Sequence, residues 1–190
     1  IQDWGTSLLL AQKLGAKAKC LVDLGHHLPN CNIEQIVSRL IMEGKLGGFH
    51  FNDSKYADDD LTVGSLRPYQ LYLIFNELVD GVPGGDLSKS GFGWMIDASH
   101  NTKDPLEDLL QSVEAIKIAY AEALIIDRKK LELAQEKNDA VKAQEIMQHA
   151  FRTDVRALLA EARLQSGAAI HPIEFYRENS VRGNLVRERG

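Results

Sequence analysis

Three short apolar segments, spaced by amphipathic stretches, constrain the fold of this chain more than any other feature. They are "AKCLVDLG" (18–25), "LGGFHFND" (46–53) and "FGWMIDAS" (92–99), and each reads as a buried strand. "NIEQIVSRLIMEGK" (32–45) lies between the first two. Its Ile33, Ile36, Val37, Leu40 and Ile41 fall on one helical face, with Asn32 as the cap. "PYQLYLIFNELVDG" (68–81) is a second helix, with Pro68 in its first turn. "VPGGDLSKSG" after it is a loop. "TSLLLAQKLG" (6–15) is a leading helix, capped by Thr6 or Ser7 and stopped at Gly15. Helix and strand therefore alternate, with short connections. Such a rhythm predicts parallel strands joined by helical crossovers, with the strands buried on both faces.

The pattern changes after residue 103. From Asp104 to about Gln165 it is helical throughout, with Leu106, Leu109, Leu110, Val113 and Ile116 at helical spacing and a polar break further on. The tail "HPIEFYRENSVRGNLVRERG" combines two aromatics with four arginines and reads as a disordered end or an arm that docks on another subunit. We accordingly divide the chain at 1–103 and 104–190.

Composition removes several function classes. A net charge of −5, with only Arg128-Lys129-Lys130 as a basic run, disfavours a nucleic-acid partner. No apolar run reaches membrane-spanning length, so no membrane partner is expected. Two cysteines, Cys20 and Cys31, form neither a disulfide framework nor a zinc ribbon. The start lacks the features of a signal peptide, which makes the cytoplasm the expected location. Ile1 is not an initiator methionine, and the chain is expected to be a piece of something longer.

The chemistry gathers at the C-terminal ends of the strands. The first ends with Asp23, His26 and His27. The second carries His50, Asn52 and Asp53, with Asp58, Asp59 and Asp60 in the loop beyond. The third ends with Asp97, Ser99 and His100. In parallel α/β folds this is the end at which active sites are built. Oxygen and imidazole donors together suit a divalent ion such as Mn²⁺, Co²⁺, Mg²⁺ or Zn²⁺. Strand alternation sets His50 and Asn52 on one face, and Phe49 and Phe51 on the other, toward the helices. Taken singly, each feature has a plainer reading. A lone histidine in a strand is usually a hydrogen-bonded core residue, and an acidic triplet is usually a solvated turn. Their coincidence at three successive strand ends is what those readings leave unexplained.

On these residues the chain resembles a known family. "LVDLGHHLPNCNIEQIV", "GGFHFNDSKYADDDLTVGS" and "MIDASHN" resemble L-rhamnose isomerase of the type with broad aldose–ketose specificity. The resemblance covers nearly all of this chain and only the later part of the family's chain. It implies an α/β fold, the last three strands of a (β/α)8 TIM-type barrel followed by a C-terminal helical extension. It implies two divalent ions, commonly Mn²⁺. One would be held by Asp23, His50 and Asp97 with an upstream glutamate, which has no counterpart here. The other would be held by His26, Asp58 and Asp60, with Asp23 near enough to bridge. Asp97 and Asp23 become the catalytic residues, and Ser99 and His26 the substrate-binding ones. The implied reaction interconverts L-rhamnose and L-rhamnulose, and other sugars, by a hydride shift or an enediol route. The implied assembly is a homotetramer. Two readings of other classes stand beside it: a metal-dependent hydrolase or endonuclease on a related barrel, and an inactive isomerase fragment.

Overall fold

The computed structural model describes residues 3–28, 30–56, 59–98 and 102–189. Three strands, β1 (Cys20–Asp23), β2 (Leu46–Phe51) and β3 (Gly93–Ile96), form a parallel sheet in the order β1-β2-β3. α1 (Trp4–Lys13) precedes the sheet. α2 (Ile33–Met42) and α3 (Pro68–Gly81) make the crossovers between strands. The α/β alternation read from the sequence is therefore the observed one, and among the described residues the sheet is open.

The helix boundaries follow from their caps. Asn32 accepts the Gln35 N–H at 2.9 Å and starts α2, whose Ile33, Ile36, Val37 and Leu40 are all buried. Pro68 opens α3, where its missing N–H has no helical partner to lose. α1 begins earlier than expected, at Trp4. Asp3, rather than Thr6 or Ser7, is its cap, and the carboxylate takes both the backbone N–H and the hydroxyl of Thr6, at 2.9 and 2.8 Å. Past its end, Gly15 turns the chain with a φ of 98°. The Lys45 ammonium then donates to the carbonyls of Ala11, Gly15 and Ala18 at 2.9, 2.7 and 3.1 Å. It ties the end of α1 and the approach to β1 to the start of β2.

The two faces of the sheet differ. Val22, Phe49 and Phe51 meet the buried faces of α2 and α3 in one core. Phe51 stacks on Phe49, Phe75 and Trp94 with ring centroids 5.0, 5.8 and 5.9 Å apart. The opposite face stays open, with Leu21 46% and Met95 42% exposed. The expectation that all three strands are buried on both faces fails here. β3 is exposed along nearly its whole length because it lies at the sheet's edge and no described helix covers the second face. β2 and β3 approach closely at Gly48, where a Cβ would meet the Gly93 backbone nitrogen at 2.8 Å.

Six further helices follow among the described residues. They are α4 (Pro105–Leu124), α5 (Arg128–Glu136), α6 (Ala140–Phe151), α7 (Arg156–Ser166), α8 (Pro172–Glu178) and α9 (Val181–Arg189). Ala119, Ala123, Ile126, Leu131 and Ala150 of this region join the core beneath the sheet. The described part of the tail is helical rather than disordered. Tyr176 and Arg182 donate to Asp104 at 3.0 and 2.8 Å, and Arg177 pairs with Glu107 at 2.6 Å. The tail thus folds back onto the first turn of α4. No described helix is long and apolar enough to cross a membrane.

Candidate active site

The open face carries the polar groups. Asp23 and His50 are register partners across β1 and β2, so their side chains leave the sheet on the same side. Asp97 follows β3, and its N–H donates to the Phe51 carbonyl at 2.9 Å, which carries the ladder one residue further. The His50 Nδ1 lies 3.1 Å from Asp23 Oδ2 and 3.1 Å from Asp97 Oδ2. One ligand atom from each of Asp23, His50 and Asp97 lies within 4.8 Å of the others. Donors around a small divalent ion sit about 2.0–2.2 Å from it, and hence about 3 Å from one another. The spacing and the two-carboxylate, one-imidazole chemistry both fit such an ion. Asp23 is 11% exposed at its side chain and Asp97 52%, so the first is set in the fold and the second is open to solvent.

A third carboxylate stands beside this group. Asn52, 2% exposed, donates from its Nδ2 to Asp23 Oδ1 at 3.0 Å and to Asp60 Oδ1 at 3.2 Å. Asp60 is held by a loop closed at its base, where Asp53 and Leu61 exchange two backbone hydrogen bonds of 2.8 Å. The buried Asp53 carboxylate accepts from Ser54, Leu66 and Arg67 N–H groups at 2.8, 2.7 and 2.9 Å. Within the loop, Asp59 Oδ2 accepts the N–H groups of Lys55 and Tyr56 at 2.7 and 2.8 Å. From outside, the buried Asp108 of α4 accepts from Thr62 at 2.5 Å and from Lys103 at 3.0 Å. Ser112 accepts the Val63 N–H at 3.3 Å. Of the acidic triplet, the two described members differ: Asp59 shapes the loop, while Asp60 turns toward Asn52.

The chain matches no family model. Curated proteins do match it along its whole length. A protein of Rhizobium meliloti (strain 1021), described as a probable sugar isomerase, is 56% identical over 191 residues, covering 100% of this chain and 44% of that protein. One of Mesorhizobium japonicum, with the same description, is 54% identical over 191 residues, again covering 100% of this chain and 44% of that protein. The chain is homologous to both. It spans less than half the length of these relatives.

Against this background the expected site residues divide clearly. Asp23, His50 and Asp97 come together, and Asp60 reaches the same region through Asn52. His26 is exposed and stands outside the three-residue group. Asp58, Ser99 and His100 lie outside the described residues. His27 is half-buried, and burial pushes its imidazole below the usual histidine value against the pull of Asp23, with His26 adding to the downward push. Asn52 was legible only as an inward-facing residue. Its signal was parity with His50, since residues two apart in a strand share a face.

Proposed function

We propose that the whole protein to which this chain belongs is a divalent-metal-dependent aldose–ketose isomerase, acting on L-rhamnose and L-rhamnulose and on related sugars. The observation that carries the reading is the convergence of Asp23, His50 and Asp97 at 3.1 Å spacings on the open face of a parallel sheet. Homology to probable sugar isomerases over the full chain supports the reaction class. The barrel, the second ion site formed by His26, Asp58 and Asp60, and a homotetrameric assembly belong to the same reading.

The reaction is redox-neutral. One hydrogen moves between C1 and C2 of the open-chain sugar, and one proton moves between O2 and O1. A divalent ion bound here would stabilise negative charge developing on those oxygens. Asp23, His50 and Asp97 would hold it, and Mn²⁺ suits this mixed oxygen and nitrogen donor set. Asp97 is the carboxylate with a side open to substrate, and in an enediol route it would accept the C2 proton and return it at C1. In a hydride shift it would instead orient the sugar hydroxyls. Asp23, held by Asn52 and by the Gly25 N–H at 3.1 Å, would supply fixed negative charge. Ser99 and His26 would contact the sugar.

The test uses the full-length protein. Chelation should abolish sugar isomerisation, and Mn²⁺ or Co²⁺ should restore it. Full turnover by protein shown by elemental analysis to be metal-free would refute the proposal.

A further inference from the structure

We propose that Asn52 is a positioning residue that locks the strand-end carboxylate Asp23 to the loop carboxylate Asp60, and that Gly25 exists to make room for it. The proposal rests on the metal-site reading above and adds a coupling between its two halves. The amide of Asn52 is buried and donates to two carboxylates, Asp23 Oδ1 at 3.0 Å and Asp60 Oδ1 at 3.2 Å. Its orientation is chemically unambiguous. A flipped amide would set Oδ1 against two carboxylate oxygens, all three being acceptors. In the observed orientation Oδ1 takes no hydrogen bond from the described residues, so among them the side chain gives up an acceptor contact to make the bridge.

The room for this amide comes from one position. A Cβ on Gly25 would lie 3.0 Å from Asn52 Oδ1, 3.1 Å from Nδ2 and 3.2 Å from Cγ. Any side chain at residue 25 would press on the amide plane itself. The Gly25 N–H also donates to Asp23 Oδ1 at 3.1 Å, the same oxygen that Asn52 holds. The glycine of "DLGH" therefore serves the carboxylate twice, once as a donor and once by leaving space. Asp60 reaches the amide with a φ of 46°, a conformation few non-glycine residues adopt, and the loop closure at Asp53 and Leu61 holds it there.

The consequence is a fixed separation between the two carboxylates. Asp23 belongs to a strand in the sheet, while Asp60 belongs to the loop that follows β2. A neutral donor between two anions fixes their spacing without adding charge. An ion bound beside Asp60 would then be sensed by Asp23, and the reverse.

The experiment compares three variants of the full-length protein: Asn52→Leu, which keeps the size and removes the donors, Gly25→Ala, and the double substitution. Mn²⁺ binding to the metal-stripped protein is measured by calorimetric titration, beside kcat and KM for the sugar. Asn52→Leu is expected to weaken the ion site that includes Asp60 by about tenfold or more, and Gly25→Ala to act in the same direction. The double variant should be no worse than Asn52→Leu, because both act through one amide. Raising Mn²⁺ should recover most of the lost kcat, with KM for the sugar nearly unchanged. Unchanged Mn²⁺ affinity in either soluble single variant, or full additivity in the double, would overturn the proposal. If the parent itself bound no divalent ion, the metal-site reading would fall instead.

Discussion

Substituting Glu122 by glutamine should remove a loss of stability that sets in as the pH rises from 4.5 to about 7. Glu122 lies in the last turn of α4, is 7% exposed, and has its carboxyl pushed up to about 7 by burial, from an ordinary value of 4.5. The helix C-terminus, with its partial negative charge, is also a poor place for an anion. A carboxyl whose pKa is raised on folding binds its proton more tightly in the folded state. Its penalty is absent below the unfolded value, grows between pH 4.5 and about 7, and is complete above that. A shift of about 2.5 pH units corresponds to about 3 kcal/mol, and solvent screening near the helix end reduces this to about 1–2 kcal/mol. Glutamine keeps the shape and never ionises. The assay is thermal unfolding of parent and Glu122→Gln at pH 5 and pH 8. We expect nearly equal stability at pH 5 and the variant ahead by about 1–2 kcal/mol at pH 8. The same stability difference at both pH values would show that Glu122 titrates as a solvated carboxylate, and the reasoning would fail.

Phe51→Ala removes the centre of the aromatic stack between sheet and α3, and should cost about 3–5 kcal/mol in a denaturant titration. A loss under about 1 kcal/mol would mean that the stack is not a principal support. Asp104→Ala removes the acceptor of the Leu106 and Glu107 N–H groups together with the anchor of Tyr176 and Arg182. Limited proteolysis should then cut within 172–189 sooner than in the parent, and an unchanged digestion pattern would contradict the docking. Asp58→Asn combined with Asp60→Asn should lower bound metal by about one ion per subunit and collapse kcat, with little change in melting. Retention of both ions and of normal turnover would reduce these acids to a solvated turn.

Local features of the fold were readable because they obey short periods. Alternation of two placed Phe49 and Phe51 against the helices and His50 opposite them. The cap at Asn32, the first-turn proline Pro68 and the stop at Gly15 announced themselves within one turn of chain. The start of α1 was misplaced because Asp3 outcompetes two hydroxyl residues that are equally good caps by type. The exposure of β3 leaves no mark in the sequence, because an apolar strand reads the same at a sheet's edge as at its centre. The fold-back of the tail depends on pairs 70 or more residues apart, Arg177 with Glu107 and Arg182 with Asp104, which leave no local signature. The site shows the same division. Asp23, His50 and Asp97 could be placed at neighbouring strand ends by reasoning along each strand, and the family resemblance grouped them as one ligand set, whereas the Asn52–Asp60 contact required a loop whose path is set by Asp53, Asp59 and Asp108.

The separation of the sheet's faces bears on how such a protein can diverge. Stability resides in the aromatic stack under the sheet, where a lost ring is expensive. The open face stands apart from it, and Leu21 and Met95 flank the polar group there while contributing little packing. Substitutions at these two positions would reshape what meets the polar group without disturbing the stack beneath. Within the described residues, then, the groups that hold the sheet to its helices and the groups that surround the polar cluster can change independently of one another.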